Sequence, residues 1–283
     1  MRDYIELTKP RVTWLILMST AVGYYFGHTG AWSPWAMLHT ILGTALIASG
    51  TAALNQWYER DADRHMRRTQ MRPLPSGRLE PNKALCFGIV LALAGGLELG
   101  FGVNWLTSAL GLATLLMYLF LYTPLKQKTW WSTTVGAVPG AMPPLIGYAA
   151  AAGKLSAAAW VLGAILFFWQ FPHFYAIAWM YREDYSRAGI KMLPVVEPGG
   201  ESTARQILLY SVLLIPISLL PKWIGMTGSV YLVGAIALGL LFLYSGIRMS
   251  LDRTKPRARK VLLASVVYLP LLYCLMLFDP IRL

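Results

Sequence analysis

Residues 37–77 read MLHTILGTALIASGTAALNQWYERDADRHMRRTQMRPLPSG. The first part, 37–57, is an apolar run long enough for a helix to cross ~30 Å of hydrocarbon. It runs straight into three acids (Glu59, Asp61, Asp63) and five arginines. On a continuing helix Asn55, Glu59 and Asp63 stand at i, i+4 and i+8, within roughly 80° of arc on one face. Uncompensated carboxylates at a membrane boundary are costly, so a polar face held there marks a working site.

The rest of the chain is built the same way. Of 283 residues 56% are hydrophobic and only 13% charged, about half the charged share of a soluble domain. Mean hydropathy is +0.50. This excludes a soluble enzyme and a disordered chain. Nine apolar segments are marked at about 12–27, 37–57, 84–101, 105–123, 132–152, 157–181, 206–226, 229–247 and 261–278. In lipid they must be helices, because the backbone has to satisfy its own hydrogen bonds. The expectation is an all-α, polytopic membrane protein, one domain over 1–283, with a bundle of nine transmembrane helices.

The net charge of +12 reads as cytoplasmic loop bias rather than nucleic-acid binding. With a cytoplasmic N-terminus, all but three of the 25 basic residues (Lys154, Lys222 and Arg282) fall on the inner side. Two inner loops, about 58–83 and 182–205, are the longest and lie four spans apart, as in a parallel duplication of four-helix units. The N-terminal segment shows no clear cleavage site and no transit-peptide composition, so helix 12–27 is expected to be retained in a bacterial cytoplasmic (inner) membrane. Cys86 and Cys274 lie far apart in apolar stretches with no metal or disulfide spacing, and are expected to be packing residues. Glu98, toward the outer face, reads as interfacial or structural.

Hard oxygen donors with one or two carboxylates suit Mg²⁺, which keeps waters and substrate phosphates. Asn55, Glu59 and Asp63 are therefore candidate metal ligands, with Asp61 at most in support. Arg67, Arg68 and Arg72 follow, and guanidinium groups bind phosphate oxygens in bidentate fashion. A second stretch, FWQFPHFYAIAWMYREDY over 168–185, places His173 and Asp184 about 20° apart if one helix carries both. His173, one to two turns into the bilayer, is a candidate to orient diphosphate, act as an acid or base, or touch an acceptor. Lys191, beyond it, would add a phosphate contact. A third stretch, YTPLKQK over 122–128, offers Lys126 as a phosphate ligand. The Gly/Pro-rich GAVPGAMPP over 136–144 must break or kink its helix.

The pattern N-x-x-x-E-x-x-x-D, followed by R-T-x-x-R-P-L-x-S-G, resembles the first signature of the UbiA-type intramembrane prenyltransferases. The stretches WQFPHF, EDYSRAGIKMLP and YTPLK with GAVPGAMPPLIGY are similar to the branch that prenylates protoheme IX. The resemblance runs from about residue 5 to 275. It implies a helical bundle with a lipid-open cavity and two cytoplasmic motif regions that hold Mg²⁺ and a prenyl diphosphate. Matched position by position, Asn55, Glu59 and Asp63 fall on metal positions and Arg68, Arg72, Lys126 and Lys191 on basic ones. Asp184 falls in the second motif as a further metal ligand. Two departures stand out: the middle ligand is commonly Asp, and the second motif is thinned to Glu183-Asp184, with His173 near where its first Asp would stand.

The reaction implied is transfer of farnesyl from farnesyl diphosphate to a vinyl group of protoheme IX, with addition of water, giving heme O for terminal oxidases. Asp63, Glu59, His173 and Lys191 are its catalytic candidates. A heme A synthase or an oxidase assembly factor is a candidate partner. The alternatives are prenylation of an aromatic acid or quinone precursor, and a transporter of an anionic amphiphile.

Overall fold

A computed structural model describes residues 1–28, 30 and 32–281; Arg282, counted above as an outer basic residue, lies outside the described residues. In chain order the helices are α1 (Arg2–Leu7), α2 (Pro10–Gly27), α3 (Pro34–Arg64), α4 (Pro81–Gly102) and α5 (Trp105–Leu116). A π-helical segment, Met117–Tyr122, links α5 to α6 (Thr123–Leu125). There follow α7 (Ser132–Gly140), α8 (Met142–Ala152), α9 (Ala157–Met180), α10 (Arg182–Arg187), α11 (Leu193–Val196), α12 (Glu201–Trp223), α13 (Ser229–Leu251) and α14 (Lys255–Phe278). No strand occurs among the described residues.

Among the described residues eight candidate spans are long and apolar enough to cross a membrane: α3, α4, Trp105–Leu125, Ser132–Ala152, α9, α12, α13 and α14. They coincide with eight of the nine apolar segments. The other segment forms α2, an 18-residue helix that opens on Pro10 and Arg11 and is not among the eight. The outer surface carries Leu93, Phe101, Trp105, Leu241 and Phe278 exposed, as an apolar solvent requires.

Local signals set the helix ends. Pro10, Pro34 and Pro81 stand at first helical positions, where the missing N–H costs nothing. The Ser33 hydroxyl accepts from Ala36 N (3.2 Å) and the Asn104 side chain from Thr107 N (2.9 Å), which satisfies free donors at the helix starts. The expected break in 132–152 falls at Ala141, between α7 and α8. There the Gln170 amide of α9 donates to Ala137 O at 2.7 Å.

Helices meet where side chains are missing. A Cβ on Gly147 of α8 would lie 1.8 Å from Thr20 O, and one on Gly23 of α2 2.0 Å from Pro144 O. The α2 and α8 backbones thus touch directly, as small residues permit inside membranes. Two interior clusters flank this seam: Ile47, Leu54, Leu99 and Leu115 between α3, α4 and α5, and Leu162, Ile165, Tyr231, Phe242 and Tyr268 among α9, α12, α13 and α14.

Two expectations about single residues need comment. Cys86 and Cys274 are free and exposed; they sit on outward faces of α4 and α14, where each helix has an apolar outer side to fill, rather than in the packed interior. Glu98 is structural: His39 Nδ1 lies 2.6 Å from its Oε1 and joins α3 to α4.

Candidate active site

Helix α3 does not stop where its apolar run stops. It continues to Arg64 and carries Asn55, Glu59 and Asp63 along one face. Asn55 and Asp63 are buried. Each of the three meets a cation from a different segment. Lys9 Nζ donates to Asn55 Oδ1 at 3.4 Å. Lys126 Nζ lies 2.7 Å from Glu59 Oε1. Arg72 Nη1 lies 2.8 Å from Asp63 Oδ2.

The chain after α3 is folded to bring Arg72 back. Met66 N and the Thr69 hydroxyl both donate to Asp63 O, at 3.3 and 2.9 Å. Arg78 then ties this loop to α1 through Glu6 (3.0 Å), Asp3 and Met71 O (2.8 Å). The Gln56 amide donates to Leu7 O at 2.9 Å, which fixes the end of α1 against α3. Between α1 and Pro10, Lys9 takes a left-handed backbone with φ 47°. That conformation is uncommon outside glycine and is held here by its surroundings.

The π-helical segment supplies the third wall. One extra residue per turn re-aims side chains, and such insertions recur at functional sites. The Thr123 hydroxyl donates to Tyr118 O (2.8 Å) and accepts from Asn55 Nδ2 (3.3 Å). Lys126 lies 4.4 Å from the Tyr122 ring centroid and 6.0 Å from that of Tyr118, within the range of cation–π attraction. Burial opposes the charge on Lys126, but Glu59, Tyr122 and Tyr118 outweigh it and hold its pKa well above the usual lysine value. Lys9 goes the other way: desolvation, with Arg72 and Lys126 adding like-charge repulsion against the pull of Glu59 and Asp63, lowers it to about 7. Both lysines therefore feel Glu59, with opposite outcomes.

The second motif reaches this cluster through Arg68, whose backbone N–H donates to Asp184 Oδ2 at 3.4 Å. Its guanidinium donates to the Tyr185 hydroxyl at 3.2 Å and lies 4.8 Å from the Tyr181 ring centroid. Lys191 N donates to Lys126 O at 2.8 Å, so these two lysines stand side by side, with Lys191 exposed. Asp184 is buried and paired with Arg187.

Several expected members stand apart. Arg67 is exposed and has no hydrogen bond or ion pair among the described residues. Asp61 pairs outward with Arg60 and Arg64, and Glu183 with Lys255 at 2.9 Å. The shared face expected for His173 and Asp184 does not form: α9 ends at Met180 and Tyr181 leaves helical geometry (φ −110°, ψ 20°) before α10 begins. His173 is bonded to Ser265 instead. Among the described residues no three His, Cys, Asp or Glu side chains gather as a metal cluster. Lys9, Thr123 and Tyr118 are the members that sequence reasoning missed. The one available signal was the basic residue directly before the helix-opening Pro10.

Comparison with known proteins fits this geometry. Residues 16–269 match the UbiA prenyltransferase family. A protoheme IX farnesyltransferase of Solibacter usitatus is 65% identical, covering 99% of both chains. That of Koribacter versatilis is 47% identical, over 99% of this chain and 93% of the relative. A solved digeranylgeranylglyceryl phosphate synthase superposes with a TM-score of 0.81 at 19% identity, covering 100% of this chain and 99% of the other. A UbiA homolog from Archaeoglobus fulgidus, bound to GPP and Mg²⁺, gives 0.74 at 18%, covering 97% and 99%. At such identities these two show the fold. The chain belongs to the UbiA prenyltransferase family and groups within it with the protoheme IX farnesyltransferases.

Proposed function

We infer that this chain transfers the farnesyl group of farnesyl diphosphate to a vinyl group of protoheme IX, with addition of water, and so makes heme O. The observation that carries the reading is full-length 65% identity to a protoheme IX farnesyltransferase, in a chain that keeps Asn55, Glu59 and Asp63 on one helical face opposite three cations.

The donor set fits Mg²⁺, since one amide oxygen and two carboxylates are hard ligands and leave room for waters and phosphate oxygens. Asn55, Glu59 and Asp63 would hold the ion, which on binding would neutralise charge on the departing diphosphate. Arg72, Lys126 and Lys191 are the diphosphate-facing cations, with Arg68 at the rim and Arg67 left in solvent. In the arrangement described, Lys9, Arg72 and Lys126 occupy the oxygens that a metal would take. With a metal–diphosphate pair bound, Asn55, Glu59 and Asp63 would hold the metal, and Lys9, Arg72 and Lys126 would be freed to pair with phosphate oxygens. Each cation then stabilises charge that grows as the carbon–oxygen bond breaks. The allylic cation left behind needs a dry space with aromatic faces, and Tyr118 and Tyr122 border the head-group site. The vinyl carbon of protoheme then attacks.

We place α2 as a ninth span, the N-terminus and this site on the cytoplasmic side, and the whole in the bacterial inner membrane. The asymmetry of the basic residues supports this orientation. A heme A synthase or oxidase assembly factor remains the partner expected from the product's use.

The test is an acceptor assay read by mass spectrometry. Membranes bearing the protein receive Mg²⁺, farnesyl diphosphate, protoheme and 4-hydroxybenzoate. Farnesylated, hydrated heme is expected. A prenylated benzoate would overturn the acceptor, and no product would return the chain to the transporter reading.

A further inference from the structure

The second half of the bundle carries a cleft that the proposed reaction does not use. It lies between the start of α12 and the end of α13, has a volume of about 390 Å³, and is lined by Glu201, Ala204, Arg205, Leu208, Ser250 and Arg253. The four α12 residues stand at i, i+3, i+4 and i+7, one face of a helix. The cleft is at the same end of the molecule as the candidate active site. Arg68 reaches Asp184 there, and the neighbouring Glu183 reaches Lys255 (2.9 Å), in the turn that carries Arg253. Its walls are fixed by Trp179 at the end of α9. The Trp179 ring fills the place of a Cβ on Gly200, 2.3 Å away, and its Nε1 donates to Arg253 O at 3.0 Å. Glu197 accepts from Glu201 N and Ser202 N, both at 3.0 Å. The α12 start is therefore already capped, and an anion in the cleft is drawn by side chains. One turn deeper the two helices close at Gly246, where a Cβ would meet Ser211 Oγ at 3.4 Å and Ile207 Cγ2 at 3.5 Å. The cleft is shut inward and open toward the polar boundary.

The donors at the mouth are uncommitted. Among the described residues neither the Arg205 guanidinium nor the Ser250 hydroxyl has a hydrogen-bond or ionic partner. Arg253 Nη1 stands 3.5 Å from Glu201 Oε1, longer than a well-formed hydrogen bond. The Glu201 side chain is 72% exposed and free to turn to water. Arg257 pairs with Asp252 at 3.2 Å, and Arg259 and Lys260 beyond it are exposed, so the field around the mouth is positive. On the membrane side, Leu209 and Val212 of α12 and Ile247 of α13 expose apolar side chains. Two guanidiniums and a hydroxyl above an apolar face match a phosphate diester that carries acyl chains. Soluble phosphate offers nothing to that face, and a choline head group would bring a like charge to Arg205 and Arg253.

We propose that this cleft binds the phosphate of an anionic glycerophospholipid from the leaflet that meets this end of the bundle, with Arg205 and Arg253 as the clamp and the Ser250 hydroxyl as a further donor. The test uses the full-length protein, purified in detergent and in nanodiscs. Native mass spectrometry should show one phosphatidylglycerol retained in preference to phosphatidylcholine with the same chains. Arg205→Gln combined with Arg253→Gln should weaken that retention about thirtyfold, the loss expected for two basic groups near an anionic lipid. Glu201→Gln should strengthen it, since it removes the acid beside Arg253. Arg259→Gln combined with Lys260→Gln removes the same charge outside the cleft and should leave retention within about twofold. Thermal unfolding in nanodiscs checks folding. The paired arginine variant should match wild type in phosphatidylcholine and lose only the gain that phosphatidylglycerol gives wild type. Equal retention of the two lipids, weaker retention in Glu201→Gln, or equal losses in the two paired variants would overturn the proposal, the last by showing a diffuse surface charge. Displacement of the lipid by inorganic phosphate at like concentration would overturn it in favour of a free-anion site. None of these readouts depends on the reaction assigned above.

Discussion

Lys126 Nζ sits 2.7 Å from Glu59 Oε1, with only 10% and 13% of the two side chains exposed. The pair closes α3 against the end of the π-helical segment and fills the middle of the proposed metal face with a cation of the chain itself. Removing one partner of a buried pair costs about 3–5 kcal/mol, whereas removing both at similar volume is often close to neutral. Glu59→Gln and Lys126→Met should each lower the unfolding midpoint in detergent, and the double variant should recover most of that loss. Transfer should stay abolished in all three. A double variant with restored activity would show that the pair is structural only.

Asp63 and Arg72 make a different pair, at 2.8 Å, with the acid buried and the arginine a quarter exposed. Asp63→Ala should abolish turnover while leaving a folded protein, seen as an unchanged size-exclusion profile. Arg72→Lys keeps the charge but loses the fork that engages two phosphate oxygens. Its kcat/KM for farnesyl diphosphate should fall by about tenfold, or ~1.4 kcal/mol. Wild-type kinetics in either variant would remove that residue from the site.

Much of this site can be read from the chain, and the unreadable part has a physical pattern. Asn55, Glu59 and Asp63 are legible because one unbroken helix carries them and its period fixes their relative direction. Their pairings with lysine are not, because Lys9 lies 46 residues from Asn55 and Lys126 67 from Glu59, and only tertiary packing joins them. Lys9 also depends on a backbone conformation that no propensity favours. The reading of His173 with Asp184 failed for the opposite reason: it extended a helical wheel across Tyr181, where the helix has ended. The helix break at Ala141 was legible, since proline and glycine act locally.

Arg67 and Arg68 are neighbours with unlike settings. Arg68 bonds Tyr185 and, through its backbone, Asp184, whereas Arg67 is exposed without a partner among the described residues. Arg67→Ala should leave KM for farnesyl diphosphate within about twofold, in keeping with an exposed charge worth under ~1 kcal/mol. Arg68→Ala should raise it several-fold. Equal effects would show that both arginines reach the substrate.

Chelation tests the donor set directly. EDTA should stop transfer, and Mg²⁺ should restore it in a saturable way. In Asn55→Ala the Mg²⁺ concentration for half-maximal rate should rise, while the maximal rate falls less than in Asp63→Ala. Full activity in EDTA would dismiss the metal role of this face.

The contact between α2 and α8 sets a schedule for biosynthesis. Helix α2 is absent from the eight spans that are apolar enough by composition, and its closest fit is to Gly147 and Pro144, more than a hundred residues downstream. During synthesis α2 therefore has only α3 to pack against while three further spans are made. When the segment around Gly147 arrives, the helix, which also packs on α3, gains its most extensive neighbour, and with it the fixed placement of Lys9 beside the proposed metal-binding acids. Nascent chains halted before residue 142 should leave α2 extractable, and those halted after α8 should not. The site is thus completed late, by a helix made early.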